Sequence, residues 1–161
     1  VDRDFSKLVE ENQGLIIKVS RLYTNTREDE EDLFQEIVLQ LWRSYDTFKG
    51  DSKISTWMYR VALNTAITLF RKKSKTPQTN DIDGFQFKDF SYESDEKREQ
   101  VDLLYKVIKM LPKVERAIVT MYLDDLPYKD IAENLGITEV NARVKMNRWK
   151  KTLKELMQKH G

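Results

Sequence analysis

The sequence predicts an all-α chain: two small helical domains joined by a flexible linker. Apolar residues recur three and four positions apart over most of the 161 residues, as on a helix buried along one face. No run alternates apolar and polar residues in the manner of a strand. Between the two periodic regions, the stretch SKTPQTNDIDGFQFKDFSYESD (residues 74–95) loses that rhythm and carries Pro77 and Gly84, which read as a connector. The division expected is residues 1–76, a linker at 77–95, and residues 96–161.

The elements follow in order. Phe5, Leu8, Val9, Leu15, Ile16, Val19, Leu22 and Tyr23 predict one first helix. TNTREDEED then offers Thr and Asn as turn or cap residues, with acidic side chains at the positive end of the next helix. That second helix runs through Leu33, Phe34, Ile37, Val38, Leu41, Trp42 and Tyr45. DTFKGDSK breaks it at Gly50 and supplies Asp51 or Ser52 as a new cap. STWMYRVALNTAITLFRKK makes a third helix ending in cations. After the linker, EKREQVDLLYKVIKML, PKVERAIVTMYLDD, YKDIAENLG and TEVNARVKMNRWKKTLKELMQK complete the set, Pro112 taking a permitted first-turn position. Phe85, Phe87, Phe90 and Tyr92 are unusual for a purely solvating linker and imply that part of it docks.

Composition limits the chemistry. With 40% hydrophobic and 34% charged residues the chain can bury a core under a heavily charged surface. The net charge of +1 conceals an uneven distribution. Residues 77–100 carry three Lys or Arg against seven Asp or Glu, and residues 101–161 carry twelve against eight. A basic C-terminal third is what a polyanion meets. There is no cysteine, and His160 is the only histidine. Disulfides, a thiol nucleophile, a zinc site and catalysis by a buried histidine are therefore not expected. No Gly-rich phosphate loop occurs, so no catalytic residue, cofactor or small-molecule substrate is expected. The absence of a membrane-length apolar run or a signal peptide predicts no membrane insertion and a reducing, cytoplasmic setting.

DIAENLGITEVNARVKMNRWKK has the form of a helix-turn-helix. Ile131, Ala132 and Leu135 line a short helix, Gly136 permits the tight turn, Ile137 plugs the core, and Thr138 caps the second helix. On that helix Val140, Val144 and Met146 are expected to face inward, leaving a surface rich in amides and cations. Asn141 and Arg143 are read as contacts to base edges, and Lys145, Arg148 and Lys150 as phosphate contacts.

DLFQEIVLQLW (residues 32–42) poses a different question. Asp32, Gln35 and Glu36 are helix-surface neighbours beside an apolar seam. From spacing alone the trio is a solvated face, a metal site, or a surface made to meet another protein.

Taken together, the motifs resemble the sigma factors of bacterial RNA polymerase, specifically the compact extracytoplasmic-function (ECF) group of the sigma-70 family. EEDLFQEIVLQLWRSYDTF is similar to that family's D-L-x-Q-E helix, FKGDSKISTWMYRVALN to its promoter-opening segment, and LPKVERAIVTMYLDDLPYKDIAENLGIT to the start of its region 4. The resemblance implies a region 2 domain and a region 4 domain joined by a linker. It also implies a non-enzymatic, dissociable initiation subunit that directs core polymerase to promoters and helps open them.

On this resemblance, Asp32, Gln35 and Glu36 contact the coiled coil of the polymerase clamp; a metal site is not expected, because hard-cation sites usually gather more carboxylates than this face offers. Lys53, Trp57, Arg60 and Asn64 meet the −10 element. Arg71, Lys72 and Lys73 lie near its phosphates, and the loop from Phe48 to Ile54 walls a pocket for an extruded base. Trp57 also has a purely structural reading, as partly buried core. Asn141, Arg143, Lys145, Arg148 and Lys150 become contacts to the −35 element. An anti-sigma factor is the implied regulator. The family's recognition helix commonly reads G-T-V-K-S-R-L, whereas Asn141 and Ala142 replace Thr-Val here, so the preferred −35 sequence does not carry over.

Two other classes compete. A helix-turn-helix repressor would need neither the Asp32–Glu36 face nor the Trp57–Asn64 helix. An all-α hydrolase is disfavoured by the lack of cysteine, of an internal histidine and of a Gly-rich phosphate loop.

Overall fold

Asn12 cuts in two the helix that the apolar spacing of residues 5–23 predicts. Its side-chain Nδ2 donates to the Leu8 carbonyl at 2.9 Å, ending α1 (Asp2–Glu11), and its own carbonyl accepts from Leu15 at 3.2 Å, starting α2 (Gln13–Leu22). An Asn side chain that competes for backbone groups in this way favours helix ends over helix interiors. The computed structural model describes residues 2–48, 50, 52–69 and 94–160. These fold as two compact units, Val1–Phe85 and Gln86–Gly161. Among the described residues every regular element is helical. The expected linker, with Phe85, Phe87, Phe90 and Tyr92, and the cations Arg71, Lys72 and Lys73 lie outside the described residues.

In the first unit, α3 (Arg27–Ser44) begins at Thr26, whose hydroxyl accepts from the Asp29 amide at 3.1 Å, with Glu28, Asp29 and Glu30 in the first turn. Leu33, Ile37 and Leu41, one turn apart, are wholly buried. They pack with Ile16, Val19 and Leu22 of α2 and with Met58, Tyr59, Ala62 and Leu63 of α4 (Ile54–Asn64). Full burial of each such aliphatic side chain is worth about 1.5–3 kcal/mol. Phe5 brings α1 onto the bundle through edge contacts with Trp42 at 5.0 Å and Tyr45 at 5.4 Å between ring centroids.

After α3 comes a 3₁₀ turn, Tyr45–Thr47. Asp51, one expected cap for the next helix, lies outside the described residues, and Ser52 does not cap it. The N-cap is Lys53, with no side-chain cap bond. α4 then widens into a π-helical turn, Thr65–Leu69, where the Thr65 and Thr68 hydroxyls donate back to the Val61 and Asn64 carbonyls.

The second unit is built from α5 (Asp95–Ile108), α6 (Lys113–Leu123), α7 (Tyr128–Leu135) and α8 (Glu139–His160). Ser94 caps α5 by accepting from the Lys97 amide at 3.1 Å. Arg116 ties the α5–α6 corner. Its guanidinium donates to the Leu111 carbonyl at 2.9 Å and the Lys109 carbonyl at 3.0 Å, satisfying acceptors that a helix end would leave open. Val107, Ile108, Ala117, Ile118, Met121, Ile131, Ala142 and Met146 form the core.

The turn between α7 and α8 follows the sequence closely. Gly136 takes the left-handed conformation at φ 69°, and its amide bonds the Ala132 carbonyl, as does that of half-buried Ile137 at 3.1 Å. The Thr138 hydroxyl then accepts from the Asn141 amide at 3.0 Å and opens α8.

Candidate functional site

The residues singled out above fall on two surfaces of the first unit and one of the second. On α3, Asp32 and Glu36 are half-buried and Gln35 is exposed, all beside the wholly buried Leu33–Ile37–Leu41 stripe. Glu36 accepts from the Gln40 side-chain Nε2 at 3.1 Å, which fixes its carboxylate. The same face is more apolar than spacing suggested. Leu39 is 41% exposed and Trp42, expected in the buried seam, is 43% exposed. Gln35, Leu39 and Trp42 stand at intervals of four and three, so they share one strip of surface. Among the described residues no acidic or histidine cluster could hold a metal ion.

The second surface is a pocket of about 320 Å³ opening along α3, α4 and the π-helical turn. Trp57, Arg60 and Asn64 of α4 line it with Gln40, Ser44, Thr47, Val61, Thr65 and Thr68. Three of the four described −10 candidates are thus brought together. Lys53 is exposed at the start of α4 and does not line the pocket. Arg71 lies outside the described residues. Trp57 is 8% exposed and packs against Phe48 with ring centroids 5.0 Å apart, so most of its ring is core and only its margin reaches the pocket. No described residue of the Phe48–Ile54 loop lines this pocket; its other wall comes from Gln40, Ser44 and Thr47. The π turn contributes through Thr65 and Thr68. Such irregularities recur at functional sites, where the widened turn redirects side chains.

The third surface is α8. Its buried side chains are Ala142, Met146 and Leu153, not Val140 and Val144. The two valines are 66% and 51% exposed. The small Ala142, two residues from each valine, meets the core, which fixes the helix about half a turn from the expected phase.

Asn141, Arg143, Arg148 and Lys150 are exposed, as expected for groups that meet a ligand. Arg143 pairs with Glu139 at 3.2 Å and lies over the Tyr128 ring at 5.0 Å. Lys150 sits over the Tyr122 ring at 4.7 Å. A hydrogen bond with Tyr122 raises its pKa, outweighing the lowering by desolvation. Lys145 is turned toward α6, where its ammonium meets Glu115 at 3.5 Å in a part-buried contact. It therefore helps hold α8 in place and is half-buried, whereas Arg143, Arg148 and Lys150 are exposed.

This arrangement matches known proteins at the level of each half. Residues 8–76 match the family model described as Sigma-70 region 2, and residues 102–153 match Sigma-70, region 4. The ECF RNA polymerase sigma-E factor of Haemophilus influenzae is 30% identical over 141 residues, covering 80% of this chain and 74% of that protein. The chain belongs to the ECF sigma factors.

The sigma-E factor of Escherichia coli is 30% identical over 116 residues, covering 65% of this sigma factor and 61% of that relative's length. Two solved structures share the fold. One is the sigma factor RpoE of Bartonella quintana in complex with the anti-sigma factor NepR (TM-score 0.71, 18% identity, covering 97% of this chain and 98% of that one). The other is CnrH in complex with the cytosolic domain of CnrY (TM-score 0.70, 17% identity, covering 100% and 92%). No helix among the described residues of this sigma factor is long and apolar enough to cross a membrane.

Several residues of these surfaces escaped sequence reasoning. Gln40, Ser44 and Thr47 continue the Glu36 face at spacings of four, four and three, a signal that was present but unremarkable for a solvated helix. Tyr122 and Tyr128 gave none, since their contacts with Lys150 and Arg143 join residues 28 and 15 positions apart.

Proposed function

We propose that this chain is a dissociable initiation subunit that binds core RNA polymerase, directs it to particular promoters and helps open them. Transcription chemistry stays in the polymerase. The observation that carries the reading is the pocket joining Arg60, Asn64, Gln40 and the margin of Trp57 on the first unit, while a separate unit presents a cationic helix-turn-helix. One groups polar donors and an aromatic edge around a concavity roomy enough for a nucleobase, and the other offers a helix of the dimensions that a major groove admits. A repressor reading duplex DNA uses the second and has no need of the first.

In this reading, residues 1–76 form the polymerase- and −10-binding domain, residues 77–95 connect the two, and residues 96–161 form the −35-binding domain. The −10 element meets Lys53, Arg60 and Asn64, with Arg71 near its phosphates. An extruded base enters the pocket, where Arg60, Asn64 and Gln40 bond its edge. Extrusion costs a few kcal/mol, which such contacts offset. Trp57 chiefly supports the pocket from the core. The −35 duplex meets Asn141 and Arg143 through base edges and Arg148 and Lys150 through phosphates, and Lys145 steadies the helix.

The α3 face of Asp32, Gln35 and Glu36, joined by exposed Leu39 and Trp42, docks on the polymerase clamp. Its apolar centre and polar margin have the anatomy of a protein interface, and a half-exposed Trp is the residue type that most often dominates binding energy. An anti-sigma factor is the expected cytoplasmic regulator, by likeness to the two solved complexes.

Co-purification with bacterial core polymerase tests the reading. Glu36→Lys and Leu39→Asp should each abolish retention while leaving the helical circular-dichroism spectrum intact. Full retention by both folded variants would move the interface elsewhere.

A further inference from the structure

The outward face of the first two turns of α8 is apolar, and the contacts assigned above leave it unused. Val144 stands two residues from Ala142 and two from Met146, about 200° round the helix from each at 3.6 residues per turn. Those two are 0% and 1% exposed, so Val144 lies diametrically opposite the buried stripe. Val140 precedes it by one turn on the same strip. Exposed Asn141, Arg143, Asn147, Arg148 and Lys151 surround the pair.

Helix formation does not account for valine at these positions, because a β-branched side chain loses rotamer freedom there. Packing does not account for it either, since both valines point away from the core. The charge around them indicates what meets the strip. Nearby cations outnumber acids, and Glu139, at the start of the helix, is already paired with Arg143. A cationic rim around an apolar centre fits a duplex laid along the helix: phosphates flank the groove, and the major-groove floor carries one apolar group, the C5-methyl of thymine.

We propose that Val140 and Val144 read thymine C5-methyl groups in the major groove, which makes them specificity-determining residues alongside Asn141 and Arg143. The inference rests on the assignment of α8 to promoter duplex in the previous subsection. It adds that part of the sequence preference is apolar, independent of any hydrogen bond.

The full chain, reconstituted with core RNA polymerase, is used to select duplexes from a random-sequence pool. Each thymine of the selected upstream element is then replaced singly by uracil, which removes the methyl and leaves every base-pair hydrogen bond in place. At one or two positions the loss of the methyl should weaken binding about fourfold, the worth of one buried methyl group. Val140→Ala or Val144→Ala, exposed changes that favour helix, should weaken binding to the thymine duplex by a similar factor and abolish the difference between thymine and uracil there.

A selected element that tolerates every uracil would overturn this inference and leave the promoter reading standing. So would a folded double variant that binds and discriminates like the parent, an outcome that assigns the strip to a protein partner. Failure of the reconstituted complex to select any duplex would overturn both.

Discussion

The guanidinium carbon of Arg143 lies 5.0 Å from the centroid of the Tyr128 ring, while its Nη2 donates to Glu139 at 3.2 Å. The first residue of α7 and the first of α8 thus hold one cation from two sides, orienting it before any ligand arrives. Such a contact at an exposed site is worth about 0.5–1 kcal/mol. If Arg143 reads a base as proposed, Tyr128→Leu should weaken promoter binding by roughly two- to fivefold, with the loss concentrated on duplexes carrying that base. Tyr128→Phe, which keeps the ring, should bind like the parent. A uniform loss across all sequences would mean that Tyr128 serves only the fold.

Lys150 is held over Tyr122 in the same manner, and the hydrogen bond with Tyr122 lifts its pKa above the ordinary 10.5. A lysine raised on folding contributes stability that is complete below its unfolded pKa and lost as pH rises through the folded value. The tether is therefore intact throughout the neutral range and fails only in strong alkali, above 10.5. An NMR titration of the Lys150 side chain should show the raised midpoint in the parent and its return toward 10.5 in Tyr122→Phe. An unmoved midpoint in that variant would assign the shift to another cause.

Gly136 turns the chain between α7 and α8 at φ 69°, and a Cβ built there would meet no other atom within 4 Å. Any cost of substitution therefore comes from backbone conformation and not from a clash. Gly136→Ala should destabilise the second unit by about 1–2 kcal/mol, and Gly136→Asn by less, since Asn tolerates the left-handed region. Urea unfolding of both variants distinguishes conformational strain from crowding, which would penalise Asn more than Ala.

Trp57 and Asn64 line the same pocket, yet they should respond oppositely to removal. Trp57 is packed on Phe48 and nearly buried. Trp57→Ala should cost about 3–5 kcal/mol of stability, the usual range for deleting a core aromatic. Exposed Asn64 should be replaceable by Ala with little change in melting temperature and a clear loss of affinity for single-stranded −10 oligonucleotides in the polymerase complex. The reverse pattern would restore Trp57 as a base platform.

Much of this architecture was legible in the sequence because its signals are local. The Thr26 cap, the acidic first turn of α3, the Gly136 turn and the Thr138 cap each depend on residues within a few positions of one another. The break at Asn12 was missed because apolar spacing runs across it, and an Asn that ends a helix resembles one that decorates it. The phase of α8 was misread for a physical reason. Valine's chemistry predicts an inward side chain, but close helix packing selects the small Ala142 and leaves both valines outside. The pocket was half legible. Trp57, Arg60 and Asn64 share one helix, whereas Gln40, Ser44 and Thr47 come from α3 and the turn after it, and tertiary packing alone joins them.

The most direct measurement is run-off transcription from a pool of genomic fragments, by core polymerase with and without the full chain. On the promoter-directing role proposed above, the added chain should produce discrete start sites sharing one upstream and one downstream element, and Glu36→Lys should abolish them. A chain that leaves core polymerase unchanged, yet binds intact duplex tightly and alone, would contradict it.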